Sequence, residues 1–211
     1  IRGNGHREVV GFNVYDTEND YCWKQFLMDL KGRGLQSVNV IISDAHKSIR
    51  KAIAEVYPDT AWQRCQVHLV RNILNETPPK YKEGLKTELR EMFDAEDLPK
   101  ARKKRDEIID DYGPVAEKAM EILDEGFEDA MTVMMLPKYI RIALRTTNIL
   151  ERLNRELKRR SDVIQIFPNT GSVLRLMGAV AMAYSEEQSA VQSLFSGQKY
   201  DEIRVTVKDE S

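Results

Sequence analysis

Three short segments carry the side chains that could do chemistry. The first is Ile42-Ser-Asp-Ala-His46, in which Asp44 follows an apolar run ending at Ile42. In an open α/β sheet, ligands collect beyond the carboxyl ends of strands, so a carboxylate there can hold a metal ion or face a phosphate. Asp44 could instead cap the helix that follows, whose first turn holds Ala45-His46-Lys47. The second segment, Cys65-Gln-Val-His68, has a two-residue spacer that would suit zinc. A closed zinc site needs four ligands, and the chain offers two Cys and three His (His6, His46, His68), so such a site would need distant help. His68 reads equally as a polar group at the edge of a site or as a hydrogen-bonded core histidine. The third segment is Arg145-Thr-Thr-Asn-Ile-Leu-Glu-Arg-Leu-Asn-Arg-Glu-Leu-Lys-Arg-Arg160. Ile149, Leu153 and Leu157 recur every four residues as the buried stripe of a helix. Glu151, Asn154, Arg155 and Lys158 share a different face. One carboxylate among cations and an amide suits metal-dependent phosphodiester chemistry, with the acid on the metal and the cations on flanking phosphates. The plainer reading is a solvated face with a Glu151–Arg155 ion pair worth roughly 0.3–0.5 kcal/mol.

The composition frames these candidates. The chain has 211 residues, 42% hydrophobic and 31% charged, which excludes disordered and fibrous classes. At about 100–200 residues per domain this is one large domain or two small ones. A net charge of −2 argues, as an average, against a basic nucleic-acid binder. The charge is segregated, however. Residues 82–129 hold 16 acidic against 9 basic side chains, whereas residues 138–160 hold 8 basic against Glu151 and Glu156.

The elements that must position these groups follow from periodicity. Residues 8–15 are β-branched and aromatic with partial alternation, which predicts a strand. Residues 20–31 place Trp23, Phe26, Leu27 and Leu30 at helical spacing. Residues 38–42 predict a strand buried on both faces. A helix with Ile49, Ile53 and Val56 follows and ends at Pro58; residues 61–65 then predict a strand running into a helix near Val67. Strand and helix in alternation imply an α/β fold with at least one parallel pairing. Residues 75–137 read as an acidic, all-helical insertion. The expected organisation is therefore 1–74, 75–137, 138–188 with the Glu-bearing helix, and a polar tail at 189–211 without periodic pattern. Cys22 and Cys65 read as small buried hydrophobes, with no disulfide framework. No run of about 18 apolar residues predicts a membrane span, and the first eight residues lack the apolar core of a signal peptide.

Ile42-Ser-Asp-Ala-His46, Trp62-Gln-Arg-Cys-Gln-Val-His-Leu-Val-Arg-Asn72, Arg145-Thr-Thr-Asn-Ile-Leu-Glu-Arg-Leu-Asn154 with Lys158-Arg-Arg160, and Ile166-Phe-Pro-Asn169 together resemble the Mutator-type transposases of bacterial and archaeal insertion sequences. The order and spacing match from Glu8 to about Met182. The resemblance implies an RNase H-like core with an Asp-Asp-Glu triad and an all-helical insertion before the Glu-bearing helix. It makes Asp44 the second carboxylate and Glu151, 107 residues later, the third. It puts Cys65 and His68 on the family's Cys-x-x-His motif near the active site. Mg²⁺ (or Mn²⁺) held by Asp44 and Glu151 would serve strand cleavage and transfer. Arg145, Asn148, Arg152, Arg155, Lys158, Arg159 and Arg160 are the expected DNA contacts.

The implied partners are transposon-end and target DNA and further copies of the chain, without a membrane, in a nucleoid-associated cytoplasmic protein. The family's first catalytic Asp lies upstream of Arg7-Glu-Val-Val-Gly-Phe12, so the chain is expected to be the C-terminal part of the catalytic region, carrying two of three acids and inactive alone. Asp16 matches a non-catalytic acid. A Trp expected near Gln188 is missing. Two other readings remain. One is a DNA-binding remnant without catalysis. The other is a helical interaction module using Met120, Met131, Met134 and Met135, unless those methionines pack in a core.

Overall fold

A computed structural model describes residues 1–15, 19–162 and 169–209, with side chains described through Ile203. Ten α-helices, two strands and two 3-10 turns (Pro79–Tyr81 and Thr132–Met135) order the described residues: α1 (Asp20–Gly32), β1 (Val40–Ser43), α2 (Lys47–Val56), β2 (Ala61–Arg64), α3 (Gln66–Asn75), α4 (Lys82–Phe93), α5 (Leu98–Tyr112), α6 (Glu117–Met131), α7 (Lys138–Leu144), α8 (Asn148–Ser161), α9 (Thr170–Ala190) and α10 (Gly197–Asp209). The described residues are mostly helical, with one parallel pair of strands among them, in keeping with an α/β class. No described helix is long and apolar enough to cross a membrane. Contacts divide the chain into two units. One comprises Ile1–Asn39, His46–Thr60 and Asn148–Ser211, and the other Val40–Ala45 and Ala61–Thr147.

In the first unit, α1 starts where the Asn19 side chain accepts a hydrogen bond from the Cys22 N–H, a standard N-cap. Its Leu27 and Leu30 are buried, and α1 packs on α2. Lys31 Nζ donates to the Val56 carbonyl at 2.7 Å, satisfying an orphan acceptor at the end of α2. Helices α8 and α9 pack together in the same unit, and Asn169 caps α9 by accepting from the Ser172 N–H at 3.0 Å. Asn169 ends the Ile166-Phe-Pro-Asn motif. The motif's other three residues, like Asp16, lie outside the described residues.

Two expectations fail here. Residues 8–15 are not a strand, because alternation alone supplies no ladder partner. The Val9 N–H donates to the Ser185 hydroxyl on α9 at 3.1 Å. The 189–211 segment contains helix α10, anchored by buried Phe195 and Ile203, with Phe195 stacked on Tyr200. These anchors are too widely spaced to show as a helical period. The Leu194 N–H donates to the Gly5 carbonyl at 3.0 Å. Gly5 has φ +82°, and a Cβ there would come within 2.8 Å of the Phe195 nitrogen, so only glycine fits.

The second unit holds a hydrophobic core built by α3 to α6. Leu69 and Ile73 of α3, Leu85, Leu89 and Met92 of α4, Ala101 and Ile108 of α5, and Leu123, Phe127 and Ala130 of α6 are all fully buried together. Each large apolar side chain so buried contributes about 1.5–3 kcal/mol. No strand occurs between residues 75 and 137 among the described residues. Met120 and Met131 are core residues and Met134 packs on them, which removes their reading as an exposed adaptable surface. Asp97 caps α5 by accepting from the Lys100 N–H, and the Tyr112 hydroxyl donates to Glu88 at 2.9 Å.

Two outcomes follow for stability. Alanine usually improves on glycine inside a helix by about 1 kcal/mol. At Gly126 a Cβ would meet the Arg64 guanidinium and come within 2.8 Å of buried Leu69 Cδ1. Gly126→Ala is therefore expected to destabilise by about 1–3 kcal/mol in urea unfolding, and a gain would refute that packing. Burial, together with the hydrogen bond to Glu88, pushes the Tyr112 hydroxyl up to about 12. Folding thus favours the protonated form. The associated stability is complete below the usual tyrosine value of 10.0 and is lost as pH rises through about 12. Tyr112→Phe should flatten the fall in stability between pH 10 and 12, measured by urea unfolding across that range.

Candidate functional site

Parallel pairing brings the carboxyl ends of β1 and β2 to one edge of the sheet. The register sets Ser43 opposite Arg64, so Asp44 and Cys65 leave the sheet side by side. The Cys65 N–H donates to the Ser43 carbonyl at 2.7 Å, extending the ladder by one bond. Trp62 Nε1–H donates to the Ser43 hydroxyl at 2.9 Å, and that hydroxyl donates to the Asp44 carbonyl at 2.7 Å. The backbone at Asp44 is therefore held, while its side chain is exposed. Helix α2 begins at Lys47, with His46 at the cap position and no cap hydrogen bond from the His46 side chain.

Beyond β2, Cys65 is fully buried and its sulfur accepts two hydrogen bonds from Thr147, one from the N–H at 3.4 Å and one from the hydroxyl at 3.3 Å. The neighbouring Gln66 N–H donates to the Arg145 carbonyl at 3.0 Å. Residues 145–147 join α7 to α8, so the β2–α3 junction grips the link that leads to the helix bearing Glu151. His68 is half-buried in the first turn of α3. Among the described residues, no group of three or more His, Cys, Asp or Glu side chains stands ready to share a metal ion.

The residue that fixes β2 itself escaped the sequence reading. Gln63 is fully buried. Its amide nitrogen donates to the Ala130 carbonyl at 2.7 Å and its amide oxygen accepts from the Val133 N–H at 2.7 Å. Gln66 adds a second donor to Ala130 at 2.8 Å, and the Thr132 hydroxyl donates to the Trp62 carbonyl at 2.9 Å. Together they tie β2 to the C-terminal end of α6 and to the 3-10 turn that follows it. The available signal was a glutamine in the middle of a predicted strand, since a polar side chain buried there must be hydrogen-bonded.

The expected basic face of α8 is reduced by pairing. Arg145 pairs with Asp94 at 2.6 Å. Arg159 and Arg160 both pair with Glu156, and their hydrogen bonds hold its carboxyl down at about 2. Arg152, Arg155 and Lys158 are exposed and enter no ion pair among the described residues. The Glu151–Arg155 pair weighed above is therefore not formed. Leu153 is buried, Ile149, Leu157 and Glu151 are half-buried, and Asn148 and Asn154 are exposed. Asp44, Cys65, His68 and Arg145 belong to one unit, whereas Asn148 and the α8 side chains belong to the other.

The family described as "Transposase, Mutator family" matches residues 1–190 of the chain. The chain is 39% identical over 202 residues to the transposase for insertion sequence element IS256 in transposon Tn4001 of Staphylococcus aureus, covering 95% of the chain and 50% of that protein. It is 38% identical over 186 residues to the transposase for insertion sequence element ISRM5 of Rhizobium meliloti, covering 88% and 47%. The corresponding figures for the transposase for insertion sequence element IS1081 of Mycobacterium tuberculosis are 34% over 187 residues, covering 89% and 45%. The chain spans about half the length of these relatives.

The Gln63 clamp has a measurable signature. Gln63→Leu leaves the Val133 N–H without its acceptor, which should cost about 1–3 kcal/mol in urea unfolding. Gln63→Glu keeps that acceptor but sets a buried carboxylate against the Ala130 carbonyl, and should cost at least as much at neutral pH. A loss under about 0.5 kcal/mol for both variants would show that the amide does not hold the strand.

Proposed function

The chain belongs to the Mutator family of transposases, and on that premise we propose that it is the DNA-processing part of an insertion-sequence transposase. In this reading β1 and β2 are the parallel pair of an RNase H-like core and α4–α6 are its helical insertion. Asp44 and Glu151 are the second and third carboxylates of an Asp-Asp-Glu set. The observation that carries the proposal is the sheet edge. An exposed carboxylate stands past the end of β1, beside a β2 junction that grips the link to the Glu-bearing helix.

The donor chemistry fits a hard divalent ion. Asp44 and Glu151 offer carboxylate oxygens, as Mg²⁺ or Mn²⁺ prefers, whereas the soft donor nearby, the Cys65 sulfur, is buried and engaged with Thr147. When bound, such ions would polarise a scissile phosphate and lower the cost of charge on the attacking and leaving oxygens. The chain's own groups would do the rest. Arg152, Arg155 and Lys158 would hold DNA phosphates along α8, with the amides of Asn148 and Asn154 as neutral donors. His68 would serve as a hydrogen-bonding group at the edge of the site.

The reading is tested first by binding. Fluorescence anisotropy with duplex DNA at 50–300 mM salt should show affinity falling steeply with salt. Replacing Arg152, Arg155 and Lys158 together by Ala should reduce the log–log slope by up to about 2.7, at about 0.9 per phosphate contact. An unchanged slope would sink the interface. In nicking-competent transposase, Mg²⁺- or Mn²⁺-dependent cleavage of transposon-end DNA should be abolished by Asp44→Ala and by Glu151→Gln, with DNA affinity retained. Cleavage there that survives both substitutions, with DNA binding kept, would favour a DNA-binding role without catalysis for these residues. Undetectable binding even at low salt would favour a helical interaction module.

A further inference from the structure

We propose that Cys65 is a positioning residue, whose sulfur holds residues 145–147 at the sheet edge that ends in Asp44 and so sets where the chain enters the Glu-bearing helix α8. Its catalytic meaning rests on the reading of Asp44 and Glu151 given above.

The geometry lies within one unit and converges on a single residue. The Cys65 backbone N–H holds Ser43, the residue before Asp44, at 2.7 Å. Its side chain holds Thr147, the residue before α8, through both the amide and the hydroxyl of that threonine. The next residue, Gln66, grips the Arg145 carbonyl, and Asp94 grips the Arg145 guanidinium at 2.6 Å. The link is thus held at four points, although it has only three residues and no secondary structure of its own. A loop this short and this constrained acts as a fixed mount.

A sulfur suits the position for a physical reason. The thiol is fully buried, where an uncharged, weakly polar acceptor costs little to desolvate. It still offers lone pairs to two donors of one residue. Gln66, Cys65 and Ser43 in turn rest on β2, which Gln63 ties to the end of α6. The rigid helical core is therefore transmitted to the link by hydrogen bonds on named atoms. Glu151 follows Thr147 by four residues, in the first turn of α8.

The test reads the link directly. In this chain, amide hydrogen exchange followed by NMR should find the Thr147 N–H protected. Cys65→Ala should speed its exchange roughly five- to tenfold, whereas Leu89, Ile108 and Leu123 amides in the helical core keep their rates. Cys65→Ser restores an acceptor and should recover most of the protection. Unchanged Thr147 exchange in Cys65→Ala overturns the proposal. So does equal acceleration of the core amides, which would make Cys65 only a packing residue, and so does failure of Cys65→Ser to rescue. In nicking-competent protein, Cys65→Ala should lower kcat by about 10–100-fold with DNA Kd unchanged, again rescued by serine. An altered exchange rate with unaltered kcat overturns the catalytic part. Loss of the transposase reading itself shows in Glu151→Gln nicking, and leaves the exchange result standing.

Discussion

Two parallel strands of four residues each bury too little surface to hold themselves, so the position of the sheet depends on what the helices provide. That support is the amide of Gln63, closed on the carbonyl of Ala130 and the N–H of Val133. The Ala130 carbonyl is one that helix α6 leaves without an intrahelical donor at its C-terminal end, and the Val133 N–H belongs to the 3-10 turn that follows. Desolvating them without a partner would cost about 1–3 kcal/mol each, whereas the made bonds gain only about 1 kcal/mol net. The clamp therefore contributes modestly to stability and strongly to position, because displaced strands would leave these groups unmet.

The same economy continues outward from β2. Trp62 fixes the Ser43 hydroxyl, Ser43 fixes the Asp44 carbonyl, and Cys65 joins Ser43 to Thr147. Each step uses one short hydrogen bond between neighbours in space. The apolar core at α3–α6 supplies the bulk of the free energy, and the polar chain specifies where the free energy places the carboxyl edge of the sheet. The tryptophan-to-histidine motif around Cys65 is accounted for largely by this structural duty, since Trp62, Gln63, Cys65 and Gln66 each have a defined partner.

What was legible in the sequence was local. The periods of α1 and α2 and the apolar run of β1 appear within a residue or two of the structure, because short-range sterics and burial decide them. Asp44 at the end of a strand follows from the same run. Residues 8–15 carry the alternation of a strand without a ladder partner among the described residues, and a strand exists only with one. Gln63 was passed over because Ala130 and Val133 lie 67 and 70 positions away. The cationic count around α8 overstated the free charge for a similar reason. Asp94, 51 positions from Arg145, takes one guanidinium, and Glu156 takes two more.

The segregation of charge also has a physical sense beyond the total. The acidic insertion spends part of its excess on its own cations, as Glu128 pairs with Arg102, Glu88 and Glu91 with Lys104, and Asp124 with Arg105. What stays uncompensated there is dispersed over exposed helix faces, where salt screens it within about 8–10 Å. On α8 the exposed Arg152, Arg155 and Lys158 stand on consecutive turns, so their fields add locally even in a chain of net charge −2. A phosphate backbone responds to that local sum, since it pairs with cations a few ångströms away. Net charge therefore carries little information about this surface, and the pairing state of individual arginines carries most of it.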